Sequence, residues 1–161
     1  MDYLVNRKWI YGLVLFLSLW IILIFSAPVL YSFSNPTIKN ISLYIYLLFK
    51  PTCHQLPSRS IHLCGHALAV CIRCLAFYLA GFMISIYYLF HRHIKMFSLK
   101  LYLILVVPVF IDFILEKLNL YHNYSSLRFI TGFMAGLVLF HLLLLAANKN
   151  KAAVSDQSKS I

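Results

Sequence analysis

Charged side chains are missing from long stretches of the chain, and those stretches set its architecture. None occurs between Lys8 and Lys39, and Trp9–Tyr31 forms a continuous apolar run. A helix needs roughly 20 apolar residues to cross the ~30 Å hydrocarbon layer, so a first span is predicted at about 9–31. Cys74–His91, free of charge between Arg73 and Arg92, predicts a second span at about 70–91. A third, at about 99–120, is interrupted by Asp112, Glu116 and Lys117. Phe129–Asn148, bounded by Arg128 and Lys149, gives a fourth at about 127–148, with Ser125 or Ser126 as its N-cap. Ile41–Phe49 (ISLYIYLLF) is apolar but too short to span, and Tyr44 and Tyr46 favour headgroup depth. The pattern predicts an all-α integral membrane bundle of four transmembrane helices, with an interfacial or re-entrant helix in the first loop. A single membrane domain covers 1–148, and 149–161 reads as a polar C-terminal tail without order.

Composition supports the membrane assignment. Of 161 residues, 62% are hydrophobic and 11% charged, and the mean hydropathy is +0.84; ordinary soluble domains are about a quarter charged. The formal charge is +10, yet Arg7-Lys8 is the only adjacent basic pair. That scatter argues against a nucleic-acid stripe and fits basic residues flanking spans. A cleaved signal peptide is the alternative for the first span, but Ser26-Ala27 is followed by Pro28, a poor cleavage site. With the N-terminus inside, inner segments hold eight Lys and Arg and outer segments six. The bias favours both termini in the cytoplasm and a multi-pass protein of the cell (inner) membrane. The bilayer is the implied partner. A quinone, a lipid and a homo-oligomer stay open.

The unusual residues gather in the first loop and at the start of the second span. All four cysteines (Cys53, Cys64, Cys71, Cys74) fall between 53 and 74, beside His54, His62 and His66. Cys71 and Cys74 are three apart, so on a helix their sulfurs share a face that Tyr78 and Gly81 continue. A helix starting near residue 70 places both thiols in its positive dipole, with Arg73 beside them, and favours thiolate. The third span carries Asp112 and Glu116, four apart on one face. Intramembrane carboxylates normally face a partner or a wet cavity. Pro108 frees the Ile104 carbonyl and predicts a kink. Because spans alternate, Cys53, His54, Arg59, Cys71, Arg73, Cys74, Asp112, Glu116 and Arg128 all belong to one end of a four-span bundle. Gly132-x-x-x-Gly136 reads as helix packing, as does His141; His91-Arg92-His93 reads as a solvated loop.

At these residues the chain resembles a functionally uncharacterised family of small bacterial and archaeal membrane proteins. The resemblance rests on Cys53, His54, Gln55, Pro57, Arg59 and Ser60, then Gly65, Cys71, Arg73, Cys74, Tyr78 and Gly81. It continues through Pro108 and Asp112 to Arg128, Thr131 and Gly132, and covers about 50–145. Ala76 and Phe113 stand where the family usually shows glycine, and Cys64 lies outside its pattern. The resemblance implies a fold but no activity.

Four readings of the site follow from its residues. Cys53, Cys71 and Cys74 with a histidine make a Cys₃His set for a transition metal, zinc foremost. The adjacency of Cys53 and His54 strains their joint use, which brings in His66 or His62, or Asp112 as a ligand or as support for the ligands. Asp112 and Glu116 are then the candidate catalytic acids of an open ion. A second reading is quinone-linked thiol–disulfide exchange through Cys71 and Cys74. A third is a pair of stabilising disulfides. A fourth is a lipid or anion pocket built on Arg59, Arg73 and Arg128, whose simpler role is pairing with Asp112 and Glu116. Whether the protein is an enzyme stays open.

Overall fold

The computed structural model describes residues 2–4, 7–91, 93–118 and 124–157. Among them, five α-helices dominate: α1 (Arg7–Tyr31), α2 (Pro36–Phe49), α3 (Ile72–Phe90), α4 (Leu99–Lys117) and α5 (Ser125–Gln157). Two small antiparallel ribbons join them. β1 (Asp2–Leu4) pairs with β4 (His93–Lys95), Tyr3 opposite Ile94; β2 (His62–Leu63) pairs with β3 (His66–Ala67), Leu63 opposite His66.

Among the described residues, three helices are long and apolar enough to cross a membrane: Arg7–Tyr31, Ile72–Phe90 and Ser125–Asn148. The expected fourth, α4, has the length but carries Lys100, Asp112, Glu116 and Lys117 within it, and the last expected positions, 119–120, lie outside the described residues. Pro108 sits inside α4 without ending it. Asp112 is the one residue of α4 that is buried, while Leu103, Ile104, Val107, Phe110 and Ile114 face outward.

The short first-loop helix is longer than the apolar run suggested. Asn35 caps α2 by accepting from the Thr37 N–H, and Pro36 opens it. Ser42 then donates to the Ala27 carbonyl of α1 at 2.7 Å, and Trp20 packs edge-on against Phe49 at 4.7 Å and Tyr78 at 6.0 Å. That aromatic contact joins α1, α2 and α3 in one core with Ile24, Ala27, Leu68 and Leu75. A second core at the far end collects Ile10, Ile84, Tyr88, Ile94 and Leu144.

α3 and α5 form the most extensive helix pair, and glycine makes it close. A Cβ on Gly132 would collide with the Arg73 carbonyl, and one on Gly136 with the Phe77 carbonyl. The small-x-x-x-small spacing therefore works within the chain, locking the start of α3 onto α5. Two expectations change at the other end. The His91–Lys95 turn is not a solvated loop throughout: Ile94 is fully buried and β4 takes main-chain bonds from β1, a pairing three residues are too short to announce; Arg92 lies outside the described residues. Beyond Asn148, where the sequence reads as a disordered tail, α5 runs on to Gln157; 158–161 lie outside the described residues.

Candidate metal centre

The loop after α2 folds back on itself to deliver Cys53. Its N–H donates to the Phe49 carbonyl at 3.0 Å. Gln55 takes a left-handed backbone (φ 51°). Its side-chain amide donates to the Tyr46 carbonyl at 2.6 Å and the Ala69 carbonyl at 2.8 Å. Gln55 thus ties the Cys53 loop to α2 and to the bend at Ala69 that leads into α3. Tyr46 makes a second tie through its hydroxyl to the Ala67 carbonyl, and burial pushes that phenol up from its ordinary value.

Cys71 is not the first helical residue but the N-cap of α3, with extended backbone (φ −70°, ψ 161°). Its N–H donates to the Cys53 sulfur at 3.2 Å, and the Gln55 N–H reaches the same sulfur at 3.5 Å. Cys74, one turn into α3, brings its sulfur 3.5 Å from that of Cys71. The sulfurs of Cys53, Cys71 and Cys74 lie within 4.8 Å of one another, and among the described residues no histidine or carboxylate joins that group. Hydrogen bonds with Cys53 and then Cys74 hold the Cys71 thiol well below its usual range, against the opposing effect of burial. All four cysteines are free thiols, and Cys64 is exposed and apart from the other three.

The other expected residues divide. His54 is exposed on the wall of the cavity beside the sulfurs. His66 stands instead against Tyr31, ring centroids 4.7 Å apart. His62 is exposed in β2. Cys64 and Gly65 are the two residues of the β2–β3 turn, at φ 52° and 79°, which explains Cys64 as a turn residue.

The charged residues form one network next to the sulfurs. Arg73, between the two helix-start cysteines, donates to Asp112 of α4 and pairs with Glu116 at 2.9 Å. Arg128 of α5 pairs with Glu116 at 3.0 Å, and Arg59, from the short turn at Pro57–Arg59, pairs with Glu116 as well. Thr131 donates to Asp112 at 2.9 Å. A cavity of about 500 Å³ lies between, bounded by the three cysteines, His54, Gln55, Arg59, Arg73, Glu116 and Arg128. Of the nine residues expected at one end, Cys53, His54, Arg59, Cys71, Arg73, Cys74, Glu116 and Arg128 border this cavity, and Asp112 adjoins it through Arg73. The bracing by Gln55 and Tyr46 was not foreseen from the sequence, although Gln55 stands among the residues that carry the resemblance.

Apolar helices, a polar pocket at one end and three closely spaced thiols together describe a membrane protein with a cysteine cluster at that end. Residues 53–142 match the family described as Predicted membrane protein (DUF2085), and the chain belongs to it. An uncharacterized protein of Methanocaldococcus jannaschii is 38% identical over 109 residues, covering 65% of this chain and 70% of the relative. An uncharacterized protein of Methanothermobacter thermautotrophicus is 33% identical over 108 residues, covering 62% of this chain and 97% of the relative. No solved structure matches the chain.

Proposed function

We propose that Cys53, Cys71 and Cys74 bind a thiophilic transition metal, zinc foremost, at one rim of a four-span membrane bundle. The observation that carries this reading is the approach of three sulfurs from two separate segments to within 4.8 Å. Two N–H groups aimed at the Cys53 sulfur add to it, because such donors supply partial positive charge to a ligating thiolate. Two thiols at a helix start and a third from a loop are a donor set for tetrahedral zinc. Three protein ligands facing a cavity leave a fourth position for water, substrate or His54, the pattern of a reactive ion. Of the two acids, Glu116 borders the cavity and is the better placed to exchange a proton there. Asp112, held by Arg73 and Thr131, positions the turn that carries Cys71 and Cys74.

α4 serves as the fourth span in this reading. Its carboxylates turn inward to arginines while its apolar side chains face out, which removes the penalty that intramembrane charge otherwise brings. Both termini then lie in the cytoplasm and the site lies on the outer face of the cell membrane.

Elemental analysis of the purified protein tests the metal. About one ion per chain, lost in Cys71→Ser and kept in Cys64→Ser, is expected. Metal-free wild-type protein prepared without chelator contradicts it. The 3.5 Å separation of the Cys71 and Cys74 sulfurs favours a second reading, dithiol oxidation. There the two thiols form a disulfide, passing two electrons and two protons to a quinone that becomes quinol. Metal-free protein whose Cys71–Cys74 pair cycles with a quinone would support it.

A further inference from the structure

The cavity wall carries more positive charge than its acids can answer. Arg59, Arg73 and Arg128 come from the loop, α3 and α5, and all three converge on Glu116. Lys117 borders the same cavity. The remaining acid, Asp112, is already engaged by Arg73 and Thr131. Four cations thus face two carboxylates, and a divalent ion held by three thiolates, with a net charge of minus one, would still leave the wall cationic. The Arg128 side chain is 6% exposed, and its Nε has no hydrogen-bond partner among the described residues. A buried guanidinium N–H left unpaired is unfavourable, and an anionic oxygen is the group that relieves it.

Size and shape narrow the ligand. About 500 Å³ accommodates a polyatomic anion with a substituent, well beyond a halide. Planar guanidiniums from several directions suit a tetrahedral anion with several equivalent oxygens. Leu56 and Phe113 border the cavity as well, and Phe113 is 57% exposed on the outward side of α4. We propose that the cavity binds a phosphate-bearing ligand, with its oxygens on Arg59, Arg73 and Arg128 and its substituent running past Phe113. This stands beside the metal reading without depending on it. The phosphate comes either from a lipid headgroup, with its acyl chains along α4, or from a water-soluble phosphate.

The test uses the full chain purified in an uncharged detergent. Calorimetric titration compares a short-chain phosphatidate with inorganic phosphate as probes. One phosphate-bearing probe is expected to bind per chain, weakened about tenfold or more by Arg128→Gln and by Arg59→Gln. Arg59 is the most exposed of the trio, so its variant decides the matter should Arg128→Gln not fold. Phosphatidate binding about tenfold tighter than phosphate identifies a headgroup; equal binding identifies the free anion. No binding of either probe, or binding indifferent to Arg59→Gln, overturns the proposal. Cys71→Ser is expected to lose metal but keep phosphatidate or phosphate binding, so failure of one reading is told apart from failure of the other.

Discussion

The backbone N–H of Cys71 points at the Cys53 sulfur from 3.2 Å, joining two segments of chain that the sequence separates by a helical turn, a hairpin and a loop. That bond sets where the thiols stand, because it fixes the N-cap of α3 against the loop after α2. Single serine substitutions should therefore act as a group. Cys53→Ser, Cys71→Ser and Cys74→Ser are each expected to abolish stoichiometric metal, measured by mass spectrometry of the intact ion content. Cys64→Ser, at an exposed turn position, is expected to leave it unchanged.

Gln55 braces that arrangement through two carbonyls. Gln55→Ala removes both bonds, each worth about 0.5–1.5 kcal/mol, and strands two part-buried acceptors. A loss of about 1–3 kcal/mol is expected by thermal unfolding in detergent, together with weaker metal binding. Gln55→Gly loses the same bonds but suits the positive φ, so it should be less damaging than alanine.

Asp112→Asn tests how the Cys-x-Arg-Cys turn is held. Breaking a fully buried ion pair costs about 3–5 kcal/mol. Here Arg73 is partly exposed and keeps Glu116 at 2.9 Å, so a smaller loss, about 1.5–3 kcal/mol, is expected. Metal affinity should fall about 10–100-fold, as it does when a group orienting the ligands is lost. Unaltered affinity in a competition titration would detach Asp112 from the metal centre.

Two glycines should answer alanine oppositely. Gly132→Ala sets a methyl group against the Arg73 backbone, which cannot swing aside, so α5 must shift from the start of α3. A destabilisation of about 1–3 kcal/mol follows from such overpacking. Around Gly12 a Cβ meets nothing within 4 Å, and Gly12→Ala should be neutral or stabilising by up to about 1 kcal/mol. Unfolding followed by tryptophan fluorescence separates the two.

Much of this was legible because burial leaves a signature. Charge-free runs marked α1, α3 and α5, and the expectation of four alternating spans assigned Cys53, Cys71, Asp112, Glu116 and Arg128 to one end. α4 was less plain, because residues that pair inward with arginines also lower its apolar score. The start of α2 was missed although Asn35-Pro36 is a helix-opening pair. The β1–β4 ribbon could not be read, since main-chain pairing over three residues depends on where distant ends meet, not on side chains. His66 shows the limit of motif reasoning: proximity along the chain to four cysteines suggested a ligand, while the two-residue turn at Cys64-Gly65 turns it toward Tyr31.

X-ray absorption at the metal edge of the purified, chelator-free protein probes the coordination directly. A first shell of three sulfurs at about 2.3 Å with one lighter nitrogen or oxygen atom is the predicted result. A shell of nitrogen and oxygen alone, or protein with no bound metal to measure, would contradict it.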